Sequence, residues 1–67
     1  MPDQEGPALV PGETWRPRGR GMAREIVGRA ANEDGITMIR FLTWHGEFVT
    51  SEQDFRFWIE RLSASVI

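Results

Sequence analysis

The chain has no cysteine and a single histidine, His45. In only 67 residues, that absence constrains the fold more than any motif does. Domains this short bury a small share of their surface and usually rely on a disulfide, a bound metal or a partner chain. Without cysteine there is neither a disulfide nor a thiolate metal site, and one histidine cannot build a multi-histidine site. The length holds one domain. Unusually good packing or association with a second copy remains, so a homodimer is expected. No cofactor or metal is expected.

No stretch approaches the ~20 apolar residues that a membrane span needs. Residues 1–13 are acidic and proline-rich, without the basic end and apolar middle of a signal peptide. The cytoplasm is therefore the expected compartment, and no membrane contact is anticipated. Residues 1–12 (MPDQEGPALVPG) hold three of the four prolines and little periodicity. They read as a flexible arm whose triplet Ala8-Leu9-Val10 is able to dock. Residues 13–67 form the domain.

Within it, residues 13–20 (ETWRPRGR) read as a short edge strand entering a loop, because Pro17 cannot donate to a ladder. Residues 22–31 fit a strand followed by the hairpin turn Asn32-Glu33-Asp34-Gly35. Residues 36–44 (ITMIRFLTW) are the clearest strand, rich in β-branched and aromatic side chains. His45-Gly46 marks another turn, and residues 47–49 a short return. A helix over about 51–62 follows. Thr50-x-x-Gln53 and Ser51-x-x-Asp54 both offer capping boxes. Phe55, Trp58, Ile59 and Leu62 fall on one stripe. Val66 and Ile67 read as a last short strand. The expected class is α+β: a small, strongly bent antiparallel sheet, SH3-like or related, with one C-terminal helix. Its core should include Ile26, Ile39, Phe41, Phe55, Trp58, Ile59 and Leu62.

Strand 36–44 poses a problem of coverage. Side chains alternate across a strand. Ile36, Met38, Arg40, Leu42 and Trp44 share one face, while Thr37, Ile39, Phe41 and Thr43 share the other. Both faces are substantially apolar, as in strands covered on both sides. One short helix covers one face. The second needs a curled sheet, the arm or another subunit, and a bend at Gly28 favours curling.

Charge is unevenly placed around a net −2. All eight basic residues are arginine, and Arg16, Arg18, Arg20, Arg24 and Arg29 cluster within residues 15–29. Against Glu25 that window carries +4, with −3 on either side of it. Arginine forks onto phosphate and an aromatic face stacks on a base. Trp15, Arg16, Arg18 and Arg20 are therefore candidate nucleic-acid contacts, although dedicated nucleic-acid domains are usually basic overall. The alternative is a solvated loop. Phe57 lies opposite the helix stripe and is a candidate partner contact, or an isolated exposed aromatic.

Chemistry finds little purchase. His45, Ser51 and Asp54 are better explained as a turn, a cap and a first-turn charge than as a catalytic triad. The Arg18-Gly19-Arg20-Gly21 run lacks the lysine and strand–loop–helix setting of a phosphate loop. The chain reads as a non-enzymatic binding module with a protein partner, itself included. Nucleic acid is the alternative, and no small-molecule substrate is expected.

The pattern Gly12-x-x-Trp15, Arg24-Glu25-Ile26-Val27, a turn, strand 36–44 and Ser51-x-x-x-Phe55-x-x-Trp58-Ile59 resembles small SH3-like barrel proteins of bacteria, phages and plasmids. The resemblance implies a five-stranded, strongly bent sheet and a binding role without a fixed ligand. The chain departs from it in having a long helix and no tyrosine.

Overall fold

The computed structural model describes residues 7–67. It contains five strands and one helix: β1 (Thr14–Arg16), β2 (Arg24–Ala31), β3 (Thr37–Thr43), β4 (Gly46–Ser51), α1 (Glu52–Leu62) and β5 (Ser65–Val66). The strands form one antiparallel sheet in the order β4-β3-β2-β1-β5. The sheet is open, so the barrel implied by the resemblance is not closed. No helix among the described residues is long and apolar enough to cross a membrane.

Local chemistry sets the connections. At the β2–β3 turn, Asn32 Oδ1 accepts from the amides of Asp34 and Ile36, and Gly35 takes φ +79°. The positive φ thus falls on the one residue there without a Cβ. Ser51 resolves the ambiguous helix start: its hydroxyl accepts from the Asp54 amide at 3.1 Å. It is also the last residue of β4, opposite Met38. The helix therefore leaves the sheet directly from the β4 edge. At its far end Leu62 O accepts from the Arg18 amide beyond β1. The helix consequently crosses one face diagonally, from the β4 side to the β1 side.

A diagonal helix leaves two corners of that face bare. Residues 7–12 fill one of them. Leu9 is completely buried in the same cluster as Phe55 and Ile39. Arg56 donates to Pro7 O and Arg29 to Leu9 O, and Glu52 pairs with both arginines. Of the expected arm, residues 1–6 lie outside the described residues.

The core is Leu9, Trp15, Ile26, Ile39, Phe41, Phe55 and Trp58, with Ile59, Leu62 and Ala64 packed on it. Phe55 meets both Phe41 and Trp58 edge-on, at 5.5 and 5.4 Å between ring centroids, a favoured aromatic geometry. Of the expected core, Ile26, Ile39, Phe41, Phe55 and Trp58 are buried, Ile59 and Leu62 are partly buried against them, and Leu9 and Trp15 join it. β1 is not the edge strand that Pro17 suggested. It lies between β2 and β5, because Trp15 and Arg16 pair with Val66 and Ser65. Pro17 falls just beyond β1, where no ladder donor is needed.

Among the described residues, the face of β3 bearing Met38, Arg40 and Leu42 has neither the helix nor residues 7–12 on it. Arg40 lies over Gly28 and pairs with Glu47 at 2.9 Å. The register with β3 shifts between Ile26 and Gly28, leaving Val27 as the bulged residue. The bend expected at Gly28 is thus a bulge one residue earlier, and it bends the sheet without closing it.

Candidate functional site

Two surfaces stand out, the free edge along β4 and the end of the sheet where the loops meet.

The sheet has two unequal edges. β5 presents two residues, while β4 presents six. On β4, Phe48 is 46% exposed and Val49 60% exposed. Phe48 packs against Phe41 of β3 at 5.9 Å between ring centroids. Natural edges are usually blunted by proline, lysine, a bulge or a covering segment. β4 contains no proline or lysine, and its pairing with β3 runs without a register shift. Its only charged side chain, Glu47, is tied to Arg40. Behind the edge, Gly28, Ala30, Met38, Arg40 and Val49 surround a shallow depression of about 340 Å³.

Antiparallel order brings the end of β1, the start of β2, the β3–β4 turn and the helix C-terminus to one end of the molecule. Arg16, Arg18 and Arg20 are exposed there, on β1 and the loop after it. Arg24 opens β2 in phase with Ile26, which puts it on the helix side of the sheet. Its guanidinium carbon lies 4.1 Å from the Trp58 ring centroid, 4.4 Å from that of Phe41 and 5.3 Å from that of Phe55. Arg24 thus caps the second bare corner left by the helix. Burial, and then the charge of Arg61, push its pKa below the usual arginine value. Arg61 lies 5.8 Å from the Phe57 ring centroid. At the β3–β4 turn, Trp44 is 79% exposed and packs on His45 with ring centroids 3.9 Å apart.

The five candidate contacts are divided by the fold. Arg16, Arg18 and Arg20 share the loop end. Phe57 sits on the outer side of α1 at 60% exposure, and its ring contact is with Arg61. Trp15 is only 3% exposed and its indole N–H donates to Glu13 Oε1. Its ring faces are in the core, not in position to stack on a base. The aromatic offered at this end is Trp44. Arg24, Arg61 and the β4 edge were not singled out from sequence. The phase of Arg24 with Ile26 was the available signal.

His45 precedes β4 and Ser51 ends it, about 20 Å apart at ~3.3 Å per residue. Ser51 is occupied as the helix cap. The His45, Ser51 and Asp54 side chains are therefore not assembled into a relay.

Comparison with known proteins finds no matching family model, no similar curated sequence and no similar solved structure.

Proposed function

We propose that this domain is a protein-interaction module that works by strand addition at β4, with a second copy of itself as the first partner. The observation carrying this reading is the six-residue edge, unguarded among the described residues, with Phe48 and Val49 exposed along it. An edge strand presents a row of free backbone donors and acceptors, and an added strand satisfies them. Alternating pockets then read the added side chains.

Two further facts support a second copy. The chain has no disulfide to stabilise so short a domain, so burial against a second copy is a ready source of stability. Antiparallel pairing of β4 with itself about a two-fold axis is also self-complementary and closed. It joins two sheets into one of ten strands and leaves the short β5 strands as the outer edges. Glu47 is already neutralised by Arg40, so two copies of β4 meet with little repulsion.

Stable specific interfaces take roughly 800 Å² from each partner. A single strand pair covers less, so association in the micromolar range is expected. Sedimentation velocity from about 1 to 200 μM should show a monomer–dimer shift. Val49→Lys, which places a charge on the edge, should hold the protein monomeric across that range. A wild-type chain that stays monomeric throughout would remove self-association. Unchanged dimerisation of Val49→Lys would move the interface off β4.

A further inference from the structure

Arg16, Arg18, Arg20, Arg24 and Arg61 gather at the loop end. Among the described residues, none of the five makes a salt bridge with a carboxylate. The other three arginines, Arg29, Arg40 and Arg56, are all paired, with Glu52, Glu47 and Glu52. The division follows position in the fold, since all eight basic residues are of one type. We propose that the loop end binds single-stranded nucleic acid, with these arginines on phosphates and Trp44 stacked on a base.

Arg24 is the organising residue. Its guanidinium carbon lies over the rings of Trp58 and Phe41, and no protein acceptor takes a hydrogen bond from the guanidinium among the described residues. Partial burial beside Arg61 disfavours two neighbouring cations unless an anion joins them. A phosphate oxygen would relieve that repulsion and use the fork of donors. Trp44 supplies the second half of the recognition. It is the most exposed large apolar side chain described, and its packing on His45 holds the indole at the turn.

Single strands fit better than duplex. Helix α1 is spent covering the sheet, with Phe55 and Trp58 buried, so no free helix is available for a major groove. An indole reaches the face of a base only when that base is unstacked. An acidic peptide would satisfy the arginines but would make no comparable use of Trp44. The far end of the sheet carries Glu33 and Asp34 at the β2–β3 turn and Glu52 and Asp54 in the first helical turn. Glu25, Glu60 and the Arg40-paired Glu47 lie toward the loop end as well, but its five arginines outnumber them, which orients this end toward a polyanion despite the net −2.

The test is fluorescence anisotropy of a labelled twelve-nucleotide oligo-dT titrated with the full chain at about 50 and 200 mM salt. Four phosphate contacts, Arg24 and Arg61 sharing one, at about 0.7 each in the log–log salt slope predict roughly a 50-fold loss of affinity between the two conditions. Trp44→Ala should weaken binding about tenfold or more. Arg18→Gln with Arg20→Gln should lower the slope by about 1.4. Arg24→Met keeps the packing volume and removes the charge. It should weaken binding while the denaturation midpoint holds, which separates loss of contact from loss of fold. The proposal is overturned by no binding at low salt or by full binding of Trp44→Ala. Equal affinity for a blunt duplex of the same length, or for poly-glutamate, would overturn it as well.

Discussion

Ser63 ends helix α1 with φ +51° and ψ +45°, the only positive φ on a non-glycine residue among those described. Its amide and that of Ala64 reach back to Glu60 O and Ile59 O, which is the hydrogen-bonding pattern that a glycine cap usually supplies. A residue with a Cβ spends about 1 kcal/mol in that region. Ser63→Gly should therefore stabilise the domain by about 1 kcal/mol, read as a higher urea midpoint with an unchanged slope. A lower midpoint would show that the serine side chain makes up for its backbone. Single residues were unevenly legible. The helix stripe and the Ser51 cap could be read directly, because both depend on spacing within one element. Trp15 could not, because it is buried in the core cluster with Leu9, Ile26 and Phe55, residues distant in sequence whose convergence leaves no periodic signal in residues 13–20.

The arm and the helix depend on each other. Leu9 fills one corner beside the diagonal helix, and the arm's carbonyls are held by Arg29 and Arg56, which Glu52 braces from the first turn of α1. These ion pairs are only part-buried, and burial costs such pairs desolvation, so the apolar plug should dominate the energetics. Leu9→Ala should cost about 3 kcal/mol, within the range for buried leucine truncations. For so small a domain that is a large share of total stability. Chemical denaturation checks it, and a loss under about 1 kcal/mol would mean that the arm adds little to the core. The sequence showed the apolar triplet but not its destination, since three residues carry no periodicity to choose a face. Strand 36–44 shows the converse limit. Its alternation identified both faces correctly, but the even face remains open. Ile36 and Trp44 fall outside the strand ends, and Met38, Arg40 and Leu42 are left on a face that Arg40 and Glu47 keep polar.

The whole molecule is asymmetric in two ways that local reading could not supply. Sheet order makes one edge long and the other negligible, and antiparallel topology brings the five arginines without a salt bridge to one end. Both depend on how elements are arranged, which is why the arginine cluster was visible in sequence while its Arg61 and Trp44 neighbours were not. The absence of staples in so short a chain raises the expectation of a partner, and β4 is the place proposed for it. Amide hydrogen exchange, followed residue by residue as protein concentration rises from about 5 to 500 μM, addresses that place directly. Pairing at the edge should slow exchange within Gly46–Ser51 as concentration increases, leaving β5 and the outer face of α1 near Phe57 unchanged. Protection that grows around Phe57 instead, with β4 amides unaffected, would contradict strand addition at β4.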